Sequence, residues 1–319
     1  MMMYLFTGAG LVLLFGGGEL LVRGAVAVSR RFSISPLLIG MTVVAWCTSA
    51  PELVVSFGAA LEGRSDIAIG NIVGSNIFNV LGVLGAAALI APIVLRPASL
   101  KRDVSWMLGS SLALALIVQT GAIGRVAGVL LAIGIAIYVW YSYRSESKDP
   151  GQPSADVHTH ESEEIEGPQS AWVGVGYVVA GLAALVVGSR LLIIGATDIA
   201  LALGVSEAAV GLTLVAVGTS LPELATSIVA AVRKHSDVAV GNVVGSNIFN
   251  ILGILGITAI VRPIAVVERI ATVDVWIMLA VAVFVTPFLV WRGRIGRVAG
   301  LVFLALYFAY VTTLFAAGV

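Results

Sequence analysis

Charge is scarce in this sequence. Asp, Glu, Lys and Arg make up 11% of the 319 residues, against 59% hydrophobic ones and a mean hydropathy of +1.05. A soluble domain carries roughly 25% charged residues, so a soluble globular chain is excluded. The charges present cancel to zero, which gives no basis for a nucleic-acid partner. Cysteine occurs once, as Cys47 inside an apolar segment, so no intramolecular disulfide can form and redox chemistry is not indicated. The histidines, His158, His160 and His235, fall in loops. With no H-E-x-x-H and no Ser–His pairing among the apolar segments, the reading is not an enzyme, and no cofactor is expected. Short segments of alternating polarity are missing too, and with them the case for a β-barrel. The first apolar segment lacks a basic leader and an A-x-A-like cleavage site, so it is expected to remain as a span.

Apolar runs of about 18 residues or more, long enough to cross the bilayer as helix, recur instead from end to end. Splitting at turn and charge clusters predicts an all-α membrane protein of ten transmembrane helices, near 4–29, 36–61, 67–91, 104–120, 125–143, 172–203, 207–232, 238–261, 273–290 and 297–316. One long hydrophilic segment, 144–171, holds Pro150, Pro153, Pro168 and the acids Glu161, Glu163, Glu164 and Glu166. It reads as a cytoplasmic linker, and its acids and histidines are assigned no site. Sorting the basic residues by alternate loops places Arg30, Arg31, Arg96, Lys101, Arg102, Arg144, Lys148, Arg233, Lys234, Arg292, Arg294 and Arg297 on one side. Only Arg64, Arg125, Arg262 and Arg269 fall on the other. That bias predicts a multi-pass cell-membrane protein with both termini extracytoplasmic.

The stretch GNIVGSNIFNVLGVLG, Gly70 to Gly85, returns 171 residues later as GNVVGSNIFNILGILG, Gly241 to Gly256. The same shift aligns Gly17 with Gly188, Gly24 with Gly195, Pro51 with Pro222, Glu52 with Glu223 and Asp103 with Asp274. The halves, 1–143 and 172–319, are duplicates. Five spans per half is an odd number, so the second copy enters the membrane inverted; such two inverted five-helix repeats place a substrate site near the midplane.

Each half repeats an acid where acids are expensive. TVVAWCTSAPE (Thr42 to Glu52) and TLVAVGTSLPE (Thr213 to Glu223) put a carboxylate deep in the bilayer, at a cost of at least about 2.5 kcal/mol if ionised and unpartnered. Pro51 cannot donate to the carbonyl of Cys47, nor Pro222 to that of Gly218, so freed carbonyl oxygens are expected beside each acid. Thr48, Ser49, Thr219 and Ser220 add hydroxyls on the same face. In the quoted stretches Ser75 and Asn79 are four apart, as are Ser246 and Asn250; Asn71, Asn76, Asn242 and Asn247 suit hydrogen bonding between helices. Every donor atom is oxygen, the chemistry of a hard-cation cage for Ca²⁺ with Na⁺ as competitor.

At these residues the sequence resembles the sodium/calcium exchanger family of the cation/calcium antiporter superfamily, whose two α-repeats carry the TS-x-PE and GN-x-x-GSN-I-F-N patterns over nearly the whole chain. The resemblance implies eight upright inner helices with the first and sixth spans long, tilted and able to slide. It implies Glu52 and Glu223 as shared Ca²⁺ and Na⁺ carboxylates, Thr48 and Thr219 as carbonyl ligands, and Ser49, Ser75, Ser220 and Ser246 around Na⁺. The carbonyls of Ala45 and Ala216 would complete the Na⁺ sites, with Asn79 at the centre. Asn250 stands where many members, notably potassium-dependent ones, have Asp, which speaks against potassium co-transport. The expected function is secondary antiport of Na⁺ for Ca²⁺ through one alternately exposed site, by a chain that works as a monomer. The alternative is Ca²⁺/H⁺ antiport through the same glutamates; a channel is the third class, disfavoured because the chain supplies its own two halves.

Overall fold

The computed structural model describes residues 2–32, 35–95, 97–147, 171–203 and 216–316. Residues 148–170 of the hydrophilic segment and 207–215 at the start of the seventh predicted span, with Thr213, lie outside the described residues, while 144–147 and 171 belong to the flanking helices rather than to a linker.

Within them the chain is a helical bundle. Helix α1 spans Met2–Phe32; α2 and α3, Leu37–Thr48 and Ala50–Leu61, are two limbs of one broken element bent by 45°. Next come α4 (Ser65–Ile90), α5 (Leu100–Thr120) and α6 (Arg125–Ser147). Helix α7 (Ala171–Ala202) is followed by a single turn, Ala216–Gly218, and by α8 (Leu221–Val232). Helices α9 (Ser236–Val261), α10 (Ile270–Arg292) and α11 (Arg297–Ala316) complete the bundle. Eight of these helices are long and apolar enough to cross a membrane, and the α2–α3 pair makes a ninth. Helix α8 by itself is a shorter apolar helix, so the described residues stop short of the ten spans read from the sequence.

Helices α4 and α9, which carry the repeated Gly-Asn motif, are the most buried spans, 83% and 89%; they form the centre of the bundle. The predominantly exposed apolar faces of α6, α7 and α11, with Val126, Trp140, Val179 and Leu301 outward, are what a hydrocarbon solvent requires.

Four two-residue strands were not foreseen. Strand β1 (Ile93–Val94) pairs antiparallel with β4 (Arg294–Ile295), and β2 (Ala122–Ile123) with β3 (Ile264–Ala265). Leu95 N–H donating to Gly293 O at 2.7 Å, and Val266 N–H to Gly121 O at 2.9 Å, extend the two bridges. Each bridge ties a loop of one half to a loop of the other.

Helices α1 and α7 run antiparallel in backbone contact. Gly10 faces Gly188, Gly17 faces Gly181 and Gly24 faces Gly174, seven residues apart along both helices. A Cβ on Gly17 would stand 2.8 Å from the Gly181 carbonyl oxygen, and one on Gly24 2.6 Å from that of Gly174. Small residues on one stripe let two helices approach this closely where lipid supplies no hydrophobic drive.

Candidate functional site

Proline sets where the two acids stand. In both halves a helix ends and another begins at a serine, Ser49 (φ −81°, ψ 5°) and Ser220 (φ −92°, ψ 10°). Pro51 and Pro222 then occupy the first turn of α3 and α8, where a missing N–H is no loss. The expectation of freed carbonyls is met in the second half by a new donor: the Ser189 hydroxyl of α7 donates to Gly218 O at 2.7 Å. Glu52 and Glu223 fall in those first turns, at the positive end of the helix dipole. Each acid thus sits deep in the bundle at the start of a half-helix.

The halves then exchange partners. The Ser220 hydroxyl donates to Glu52 Oε1 at 2.7 Å, and the Ser49 hydroxyl to Glu223 Oε1 at 3.0 Å. Both carboxylates and both serines are buried, and among the described residues no cation pairs with either acid. Arg23 is occupied by Glu19 at 2.6 Å, as its spacing predicts. Thr48 Oγ1 donates to Asn242 Oδ1 at 3.0 Å and Thr219 Oγ1 to Asn71 Oδ1 at 3.3 Å. The backbone carbonyl of Ala45 meets the Ser246 hydroxyl at 3.5 Å. Ala216 lies in the single turn before Ser220.

A second layer comes from α4 and α9. Asn76 Nδ2 donates to Asn247 O at 3.2 Å, and Asn247 Nδ2 returns a bond to Asn76 O at 3.3 Å. Asn250 Nδ2 donates to Asn76 Oδ1 at 2.9 Å and Asn79 Nδ2 to Asn247 Oδ1 at 3.2 Å. These bonds consume the amide nitrogens of Asn79 and Asn250 and leave their oxygens unused. Each helix widens to a π-helical segment here, Asn79–Val83 and Phe249–Leu255, a distortion common at functional sites. Ser75 and Ser246 stand beside Glu52 and Glu223 respectively.

Five buried side-chain oxygens of this region accept or make no hydrogen bond: Glu52 Oε2, Glu223 Oε2, Ser75 Oγ, Asn79 Oδ1 and Asn250 Oδ1. A buried polar atom left without a partner costs about 1–3 kcal/mol, and carboxylates cost more. The twelve residues singled out from the sequence, Ala45, Thr48, Ser49, Glu52, Ser75, Asn79, Ala216, Thr219, Ser220, Glu223, Ser246 and Asn250, thus all lie on the limbs that frame the two acids.

Sequence reasoning missed Ser56 and Ser227. Asn71 Nδ2 donates to Ser56 Oγ at 2.9 Å and to the Glu52 carbonyl at 3.4 Å, and Asn242 Nδ2 does the same to Ser227 Oγ at 3.0 Å and Glu223 O at 3.3 Å. Their shared 171-residue offset, one turn after each acid, was the available signal.

The family model for the sodium/calcium exchanger protein matches residues 2–144 and 173–316. The chain belongs to the sodium/calcium exchanger family, a family of membrane transporters. It is 37% identical over 315 residues to the putative antiporter CaxA of Alkalimonas amylolytica, covering 98% of each chain. It is 30% identical to the sodium/calcium exchanger MaX1 of Methanosarcina acetivorans, again over 98% of each. Among solved structures, the sodium-calcium exchanger NCX_Mj soaked with 2.5 mM Na⁺ and 0.1 mM Ca²⁺ is similar with a TM-score of 0.81 and 32% identity, covering 98% of this chain and 99% of that one. The protein is accordingly an all-helical, multi-pass membrane antiporter of exchanger type and not an enzyme.

Proposed function

We propose that this chain exchanges Na⁺ for Ca²⁺ through one mid-membrane site that opens alternately to each side. The observation that carries the reading is the pair of buried acids, Glu52 and Glu223, each held by the opposite half's serine and neither neutralised by a cation among the described residues. Two ionised carboxylates balance one Ca²⁺ or two Na⁺, so the rival ions compete for the same charge. The unpartnered oxygens of Ser75, Asn79 and Asn250 supply the neutral part of an all-oxygen shell suited to hard cations. Thr48 and Thr219 contribute carbonyls near the acids, and Ala45, Ala216, Ser49, Ser220 and Ser246 complete the Na⁺ positions. Asn250, being neutral, leaves no third charge for a K⁺.

On this reading the two halves, 1–143 and 172–319, are inverted five-helix repeats with ten spans. Segment 148–170 is a cytoplasmic linker, both termini are extracytoplasmic, and one chain suffices for transport in the cell membrane.

The deciding measurement is Ca²⁺ uptake by proteoliposomes holding the full chain. Uptake is expected to follow an imposed Na⁺ gradient at clamped pH and to saturate. Uptake that follows a pH gradient without Na⁺ would assign H⁺ antiport instead, and unsaturable flux needing no ion on the far side would assign a channel. The swapped serines give a graded check. Ser49→Ala and Ser220→Ala each remove a hydrogen bond to a carboxylate, worth about 1.5–3 kcal/mol, so apparent Ca²⁺ affinity is expected to fall by roughly tenfold or more. Unchanged affinity in both variants would mean that the serines merely pack.

A further inference from the structure

Glu19 of α1 lies between two guanidinium groups. Arg23 of the same helix reaches it at 2.6 Å. Arg233, in the turn that ends α8, engages both carboxylate oxygens, with Nη2 2.7 Å from Oε1 and Nε donating to Oε2 at 3.0 Å. This two-pronged geometry is the strong, directional form of an ion pair. It fastens α1 to the end of the half-helix that begins with Glu223. Beside it α1 is seated on α8, where a Cβ on Gly18 would stand 3.3 Å from the carbonyl oxygen of Ala225, a buried residue.

The 171-residue offset gives both members of the Glu19–Arg233 pair a mate of reversed charge, whereas Arg23 falls on Ile194. Glu19 matches Arg190 of α7; Arg233 matches Glu62 in the turn that ends α3. The two turns share a backbone conformation, with φ +82° at Gly63 and φ +61° at its mate Lys234. The mates, however, do not meet. Among the described residues Glu62 has an ion pair only with Arg64, at 3.9 Å, both exposed. Arg190 is exposed and has no hydrogen bond or ion pair among the described residues. Val54, the mate of Ala225, is 66% exposed where Ala225 is 4%. One long helix is docked on the opposite half, and its mate is not.

We propose that Glu19–Arg233 and Arg190–Glu62 are two mutually exclusive latches, each holding one face of the transporter shut. The proposal rests on the exchanger reading above. In an inverted-repeat transporter the halves trade conformations between the two states, so a contact made by one half in one state is made by its mate in the other. Complementary signs at both pairs, with only one pair closed, are what that exchange requires. The structure then represents the state shut at the Arg233 face and open at the Glu62 face. Ligand-independent bias between the states is set by the difference between the two ion pairs.

Full-chain proteoliposomes test this by apparent Ca²⁺ affinity read separately from each face. A partly exposed ion pair shifts a two-state population by about two- to fivefold. Arg233→Gln is therefore expected to weaken Ca²⁺ affinity by that factor at the Glu62 face and strengthen it at the Arg233 face, whereas Arg233→Lys leaves most of the balance. Glu62→Gln is expected to shift both faces the opposite way. Shifts of the same sign at both faces, or none, overturn the proposal. Should the Gln variants fail to fold, Arg190→Cys with Glu62→Cys in a Cys47→Ser background decides: because an Arg–Glu pair is longer than a disulfide, cross-linking by a bifunctional thiol reagent of ion-pair length is expected during ion cycling, and its absence overturns the latch. If the unmodified chain moves no Ca²⁺ under a Na⁺ gradient, the exchanger reading has failed, and the cross-link still reports on the latch under whichever ion gradient drives the chain.

Discussion

Glu52→Gln and Glu223→Gln are each expected to abolish Na⁺-driven Ca²⁺ exchange, by at least about a hundredfold, while leaving a folded protein. The two side chains are nearly the same size, and the Gln carbonyl oxygen still accepts the hydroxyl bond that Ser220 or Ser49 now gives to Oε1. Packing is thus preserved. What changes is charge. With one carboxylate left, a doubly charged ion entering a dry region keeps an unbalanced positive charge, and the expense of such a charge in a low-dielectric interior far exceeds the roughly 2.7 kcal/mol that a hundredfold loss represents. Uptake of Ca²⁺ into proteoliposomes, with size-exclusion chromatography in detergent to verify the fold, separates loss of transport from loss of protein. Normal exchange by either variant would place the ion site elsewhere.

The second large effect belongs to the α1–α7 contact. Gly181→Val is expected to cripple exchange and lower thermal stability together. A Cβ at Gly181 would lie 2.6 Å from the backbone nitrogen of Leu21 and 2.7 Å from the carbonyl oxygen of Gly17, and neither is a side-chain tip that can turn aside. The helices must part along the stripe, losing the contacts that Gly10, Gly17 and Gly24 make possible. Overpacking usually costs about 1–3 kcal/mol; a clash against backbone on a helix that supports the site belongs at the upper end. By contrast Gly16→Val and Gly176→Val, at positions with nothing within 4 Å of the added atom, should leave both stability and rate nearly unchanged. Equal behaviour of Gly181→Val and Gly176→Val in thermal unfolding would show that the stripe does not hold the pair together.

The parts of the molecule that were legible in the sequence are those in which a polar residue stands out against an apolar background. Glu52 and Glu223, the hydroxyls before them and the Ser and Asn residues of the duplicated stretch stand out that way; the structure sets Ser49, Ser220, Asn71 and Asn242 against the two acids and joins Asn76, Asn79, Asn247 and Asn250 to one another by hydrogen bonds. The pairing among them was not legible. Spacing associates Ser49 with Glu52, three residues on, whereas the fold gives Ser49 to Glu223 and Ser220 to Glu52. That exchange depends on how the halves cross, which no one-dimensional period records. Asn71 and Asn242 bond between helices as their place in the sequence suggests, but that their acceptors are the backbone carbonyls of the acids themselves was not legible. Strands of two residues are too short to leave an alternation. The contact between Glu19 and Arg233 joins positions 214 residues apart, and its only trace in the sequence is the reversed charge of the repeat mates, Arg190 and Glu62.

The paired strands have a mechanical corollary. Because β1–β4 and β2–β3 hold the loops of the central helices together at both ends of the bundle, that bundle is hooped like a barrel of staves, and swinging its halves apart would break backbone hydrogen bonds. Among the described residues helices α1 and α7 carry no such hoop and are bound chiefly to each other, through a stripe without side chains. Under the exchange mechanism proposed above, this separates stationary parts from travelling ones, so that a gate can shift while the oxygen atoms around Glu52 and Glu223 stay in register.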